Sequence, residues 1–226
     1  ILIESSVAPS VNTSIKYFED CKKSIESLYL AAVESEWIVI NDGCSEESSK
    51  KVQNILSTYK GKPKLLYESL SHNQGLSTAR NYAVSKSSGK YILFLDADDC
   101  LAKHTIMTML NCCMKVVSLL FSDSWDCDEE MNVLLRRRKR KLFDLHVRYK
   151  GTKYDPLLYF DFVYQPQLIK RSDFDAIDGF NELLHLGEDV DLLLRLSDLS
   201  KQPNFAYVSI PTYKYRNNPE GICNNL

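Results

Sequence analysis

Asp96, Asp98 and Asp99 stand at the end of an unbroken apolar run, Tyr91-Ile92-Leu93-Phe94-Leu95. A run of that length, entered from Ser88-Gly89, reads as a strand buried on both faces, as in the middle of a parallel sheet. Such sheets place their ligands just beyond the carboxyl ends of the strands. Three carboxylates crowded there repel one another unless a cation sits between them. A hard divalent ion, Mg2+ or Mn2+, sharing oxygen ligands with a substrate phosphate, is the natural neutraliser. Helix capping is the competing explanation, since Asp favours helix starts and a helical pattern follows from Ala102. Capping accounts for one Asp and not easily for three.

A second cluster lies upstream, Asn73-Gln74-Gly75-Leu76-Ser77-Thr78-Ala79-Arg80-Asn81. Gly75 permits a tight loop, and Ser77-Thr78-Ala79 opens a helix that runs to the Gly89 stop. Arg80 falls in its first turn, where a guanidinium can meet a phosphate drawn to the helix N-terminus.

The elements that must position these groups alternate in the first half of the chain. Ile1 to Val7 reads as a strand, and Ser14 to about Ala32 as an amphipathic helix with Ile15, Phe18, Ile25 and Leu28 on one face. Trp37 to Ile40 is the second strand, followed by a helix carrying Val52, Ile55, Leu56 and Tyr59. Lys64 to Tyr67 is the third strand and Tyr91 to Leu95 the fourth, with the Ser77 helix between them. This alternation argues for parallel βαβ units. A helix near Thr105 to Lys115 leads into the apolar run Val116 to Phe121. Strands are expected at Phe162 to Ile169 and Phe205 to Ile210, and a helix over Glu188 to Leu199.

Composition fits a soluble enzyme domain: 226 residues, 44% hydrophobic, 26% charged and net charge −2. That is enough for one large α/β domain, and nothing in it steers the chain to nucleic acid. No apolar run approaches the roughly 18 residues that span a bilayer, and no signal-peptide pattern is present. Seven cysteines, with Cys112-Cys113 adjacent and no Cys-x-x-Cys, suggest free thiols in a reducing, cytoplasmic setting. The chain opens on Ile1 rather than Met, so motifs carry more weight than spacings. His72, His104, His146 and His185 lack ligand spacing.

In order, Asn73-x-Gly75-x-x-x-Ala79-Arg80-Asn81, Gly89-x-Tyr91 and Phe94-Leu95-Asp96-Ala97-Asp98-Asp99 resemble the inverting glycosyltransferases of family 2, which have the GT-A fold. Ile38-Val39-Ile40-Asn41-Asp42-Gly43-Cys44-Ser45 is similar to that family's strand ending in Asp-Asp-Gly-Ser. Asp178-Gly179-Phe180-Asn181-Glu182 and Gly187-Glu188-Asp189 resemble its Gly-Gly-Phe-Asp-Glu turn and its Glu-Asp acceptor motif. Each motif alone is weak, whereas five in order over nearly the whole chain are specific for the family and not for any sugar. The resemblance implies an α/β, Rossmann-like, mixed but mostly parallel central sheet flanked by helices. It implies a single domain over residues 1–226, with residues 1–100 binding the nucleotide-sugar and residues 101–226 the acceptor.

The same resemblance implies a nucleotide-diphosphate donor, most often a UDP-sugar, and an acceptor hydroxyl in glycan or polysaccharide synthesis. Pro9, Asn12, Asn41, Asp42, Asn73, Gly75, Arg80, Asp96, Ala97 and Asp98 then fall to the donor side. Asp42, with Asn41 beside it, would accept from a base N–H, although Asn-Asp-Gly is equally a turn signal. Asp98 is the direct metal ligand, with Asp96 and Asn218 as further candidates, and Arg80 helps to stabilise the leaving diphosphate. Glu188 and Asp189 fall to the acceptor, with Asp189 as general base; taken alone, the pair could equally stabilise a helix N-terminus.

Three departures from the family pattern stand out. Val11, in Pro9-Ser10-Val11-Asn12, replaces an aromatic that would stack on a base. Asn217-Asn218 after Tyr215-Arg216 lacks a His that serves many members as a metal ligand. Asn41-Asp42 stands for the usual Asp-Asp. These departures motivate a rival from another class, a non-catalytic nucleotide-sugar or glycan binding module on a decayed scaffold. A haloacid-dehalogenase-type phosphatase would place Asp-x-Asp at its start and continue with Thr or Val. A nucleotidyltransferase would carry a Gly-rich basic loop after the first strand, absent from Ala8 to Ser14. The run Arg136 to Lys141 reads as a solvated face or, functionally, as a contact to an anionic lipid-linked acceptor or the inner membrane face.

Overall fold

The computed structural model describes residues 1–7, 12–112, 117–138, 167–199 and 205–219. Their strands form one nine-stranded sheet. β1 (Leu2–Val7), β2 (Glu36–Asp42), β3 (Lys64–Leu70) and β4 (Tyr91–Phe94) lie in the order β3-β2-β1-β4, all parallel. α1 (Asn12–Glu26), α2 (Glu46–Ser57) and α3 (Leu76–Ser85) make the crossovers. This is the βαβ alternation that the sequence predicts.

Beyond β4 the sheet becomes mixed. β5 (Cys100–Leu101) and α4 (Thr105–Cys112) precede β6 (Leu119–Cys127) and β7 (Val133–Arg137). β8 (Gln167–Lys170) inserts antiparallel between β4 and β6 and leads directly into α5 (Arg171–Ala176). α6 (Glu188–Asp198) and β9 (Phe205–Arg216) follow, β9 running parallel to β6. Of the apolar run at 116–121, residues 119–121 begin β6 and residue 116 lies outside the described residues, while β9 continues six residues past the expected Ile210. Residues 162–166 of the expected strand lie outside the described residues; 167–170 are β8.

The buried strands have two apolar faces, and the two-residue side-chain period sorts them. Ile38, Ile40, Ile92, Phe94, Leu119 and Phe121 pack with α3, α5 and α6 on one side. Trp37, Val39, Leu93, Leu95 and Leu120 pack with α1, α2 and α4 on the other. Two helical layers therefore clamp the sheet, and the carboxyl ends of β1, β2 and β4 open on a common edge. Among the described residues no helix is long and apolar enough to cross a membrane.

Candidate active site

The turn after β2 and the loop before α3 are built as a unit. Asp42 is buried, and its two carboxylate oxygens accept from the backbone N–H of Gln74 at 2.7 Å and of Gly75 at 3.0 Å. Asn73 Oδ1 also accepts from Gly75 N–H at 3.0 Å. Gly43, at φ +72°, lets the loop pass: a Cβ there would lie 2.2 Å from the Asn73 nitrogen. Gly75, at φ +91°, faces open space instead.

Asn41 is equally committed. Its amide donates to Ser49 Oγ, Tyr67 Oη and Ser69 Oγ, and its Oδ1 accepts from Cys44 N–H. Both residues therefore brace the turn, as an Asn-Asp-Gly signal allows.

Arg80 is engaged by two acids of the protein itself. Its side chain is buried and bonds across the sheet edge. One terminal nitrogen donates to Asp96 Oδ1 at 2.9 Å and the other to Glu188 Oε1 at 3.3 Å. The guanidinium carbon lies 5.6 Å from the Phe94 ring centroid and 5.3 Å from that of Phe180. A planar, delocalised cation suits both contacts at once. The expected phosphate ligand thus ties the strand-end acids to the acid pair that opens α6.

The turn before α6 is held from both sides. Asn81 Nδ2 donates to the Phe180 carbonyl and Glu182 Oε1, and its Oδ1 accepts from Phe180 N–H, each at 2.9 Å. Arg195, paired with Asp191, donates to the carbonyls of Ile177 and Gly179. Gly187, at φ +75°, then turns the chain into α6. Glu188, Asp189 and Asp191 occupy the first turn of α6, where the helix dipole favours them.

Asp189 nevertheless has its carboxyl pushed up to about 6, first by burial and then by the Glu188 charge. Its Oδ1 accepts a local bond from Val190 N–H at 2.8 Å. A carboxyl so placed is ionised near neutral pH yet basic enough to take a proton.

At the far side of the sheet edge, Asp98 Oδ2 accepts from Asn218 Nδ2 at 3.1 Å. Burial first, and then the Asp96 charge, raise Asp98 above the ordinary carboxyl range. Asp99 is buried and raised well above that range, by burial and by the charges of Asp98 and Asp96. Negative charge in this loop is therefore only partly offset by protein groups. Among the described residues no three His, Cys, Asp or Glu side chains converge to hold a metal unaided. The donor set fits a hard cation that keeps substrate oxygens in its shell. Ala97 is buried between the two acids. Asn12 opens α1 with its side chain outside the described part, and Pro9 lies outside the described residues.

Sequence reasoning missed Arg216. It is fully buried and bonds the acidic loop through its own backbone and side chain. In the sequence the Tyr215-Arg216 pair marks only where the family's His would follow, and the partners of Arg216 lie far along the chain. The basic run is also revised: Arg136 pairs with buried Asp123, and Arg137 with Asp126, so neither is a loose solvated charge. Lys139, Arg140 and Lys141 lie outside the described residues.

A parallel half-sheet with acids gathered past its carboxyl edge, joined to a mixed half carrying a second acid pair, defines a glycosyltransferase-type α/β domain of the GT-A fold. The chain belongs to glycosyl transferase family 2, whose model matches residues 5–177. An uncharacterised glycosyltransferase of Methanocaldococcus jannaschii is 25% identical over 98% of this chain and 82% of its own length. One of Rickettsia bellii is 42% identical over 34% of this chain, a match taking in 11% of that protein. The structure of Staphylococcus aureus TarS 1–349 in complex with UDP-GlcNAc superposes with a TM-score of 0.72 at 16% identity, over 96% of this chain and 58% of that one. Mannosyltransferase PcManGT of Pyrobaculum calidifontis, in complex with GDP-Man and Mn2+, gives 0.66 at 13% identity, over 96% and 56%.

Proposed function

We propose that this chain transfers a sugar, with inversion, from a nucleoside-diphosphate donor to an acceptor hydroxyl, and that UDP carries the sugar. The observation that carries this reading is the Arg80 bridge, which holds Asp96 and Glu188, the near neighbours in the chain of Asp98 and Asp189, on one guanidinium. Inversion needs a base on the face opposite the leaving group, and a carboxyl raised to about 6 is matched to that task. Asp189 would take the proton of the acceptor hydroxyl as its oxygen attacks the anomeric carbon and the bond to the diphosphate breaks. Asp98, with Asp96 and Asn218, would hold a divalent cation, which supplies charge stabilisation to the departing diphosphate. Arg80 contributes by fixing Asp96 and Glu188. Gly75, Asn73 and the start of α3 would line the donor side, in the half formed by residues 1–100.

The donor preference draws on the UDP-GlcNAc named with TarS, and the metal on the Mn2+ named with PcManGT. The acceptor class is a glycan or a lipid-linked glycan, contacted from the half formed by residues 101–226. A panel of nucleotide sugars, each with Mn2+ or EDTA, read by release of the nucleoside diphosphate, tests the reading. Hydrolysis or transfer from one sugar nucleotide, lost in EDTA and in Asp98→Ala, is the expected result. Turnover equal in EDTA refutes the metal, and no turnover of any donor refutes the enzyme.

A further inference from the structure

We infer that Arg216, at the last position of β9, is the positioning residue of the acidic loop, setting the carboxylate of Asp98 for its ligand from a buried place behind the loop. The inference rests on the metal-assisted donor site proposed above. Arg216 reaches the loop twice. Its backbone N–H donates to Asp99 Oδ1 at 2.7 Å, and its Nε donates to the Asp98 carbonyl at 2.7 Å. The remaining side-chain nitrogens point away from the site. One donates to the Glu129 carbonyl and the other to Asp20 Oδ2 on α1, at 2.9 Å. The guanidinium carbon sits 4.1 Å from the centroid of the Tyr17 ring, also on α1. Two residues on, Asn218 donates to Asp98 Oδ2, so the end of β9 grips Asp98 at its carbonyl and at its carboxylate.

The physical demand is clear. Asp96, Asp98 and Asp99 lie within four residues of chain and repel one another, and a loop built that way spreads unless something holds it. Arg216 is a buried cation whose fork is fixed in three directions by α1, the turn after β6 and the loop itself. Groups that orient metal-ligating side chains commonly affect affinity by about 10- to 100-fold when removed. Lys cannot reproduce the fork, because it offers one nitrogen where Arg216 uses three.

The test uses calorimetric titration of UDP in Mn2+ and in EDTA for wild type, Arg216→Lys, Arg216→Met and Asp20→Ala, each with a thermal melt. Asp20 is half exposed on α1, so its removal should leave the fold intact while loosening Arg216. The expected result is Mn2+-dependent binding in wild type, weakened about tenfold or more in Arg216→Lys and by a smaller factor in Asp20→Ala. Binding in EDTA should be equal for wild type and variants. If Arg216→Met fails to fold, the other two decide. Folded Arg216→Lys and Asp20→Ala proteins that bind UDP–Mn2+ as wild type does overturn the positioning role and leave the donor-site reading standing. Wild type that binds UDP equally with and without Mn2+ overturns the donor-site reading, and this inference with it.

Discussion

Glu188 Oε1 lies 3.3 Å from an Arg80 nitrogen whose partner nitrogen is 2.9 Å from Asp96 Oδ1. Arg80 is 108 residues from Glu188 and 16 from Asp96, so one guanidinium ties the two halves of the chain at their shared edge. Its side chain is 6% exposed and that of Glu188 14%, so the pair is shielded; Asp96, at 39%, is more screened. Losing the cation leaves a buried carboxylate uncompensated, a far larger effect than losing a surface pair.

Arg80→Met should therefore destabilise the fold by roughly 3–4 kcal/mol, the lower part of the range for broken buried pairs. Arg80→Lys should recover part of that stability but little turnover, because a single ammonium cannot span both acids. Urea unfolding alongside donor hydrolysis separates the two effects. A stable, fully active Arg80→Met protein would show that the bridge is incidental.

Asp189 makes a prediction in pH. A base must be ionised to work, so kcat/KM should climb about tenfold per pH unit below 6 and level off above it. The stability sign is opposite. A carboxyl raised on folding favours the folded state while protonated, and that contribution is lost as pH rises from the unfolded value through about 6. Asp189→Asn should thus lose about 10²-fold or more in transfer and be no less stable at pH 7. A pH profile with no limb near 6, or an active Asn variant, removes Asp189 from the base role.

The parallel half of the fold was legible because β2 and β4 carry the apolar runs Trp37 to Ile40 and Tyr91 to Leu95, and α1 and α2 carry one-sided stripes. The second half of β9 and the whole of β7 escaped for physical reasons. β9 runs through Pro211, which sits where the register with β6 shifts, and a Pro ordinarily argues against a continuing strand. β7 hides in Val133-Leu134-Leu135-Arg136-Arg137, where the apolar residues face solvent and the cations face carboxylates, the reverse of the usual alternation. In the site, residue types were readable and partners were not. Asp42 and Asn41 stood out correctly as special, but whether a carboxylate meets a base or a loop 32 residues away is decided by tertiary approach. Arg80 and Arg216 have the same limitation, since their partners lie far along the chain.

The turn after β2 offers a paired glycine test. Both Gly43 and Gly75 have positive φ, so Ala at either position costs about 1–3 kcal/mol in backbone strain. Only at Gly43 would the added methyl also strike backbone, 2.2 Å from Asn73 N and 2.3 Å from the His72 carbonyl carbon. Gly43→Ala should be clearly the more destabilising and should displace the 73–75 loop, weakening UDP binding. Equal melting temperatures for the two variants would contradict the close approach.

Arg136 tests the revised view of the basic run. Its Nε and a terminal nitrogen both donate to Asp123 Oδ2, at 3.1 and 2.7 Å, and the Asp123 side chain is 0% exposed. Tyr207 Oη donates to the other carboxylate oxygen, so the acid is held on both sides. Arg136→Gln strips the compensating charge from a buried carboxylate and should cost roughly 3 kcal/mol. Arg138, exposed just past β7, should tolerate Gln within about 0.5 kcal/mol, as surface sites generally do. Chemical denaturation of the two single variants decides the matter. If both substitutions prove neutral, the run is the solvated face that its sequence suggests; a loss confined to Arg136 shows that its first cation belongs to the core of the sheet.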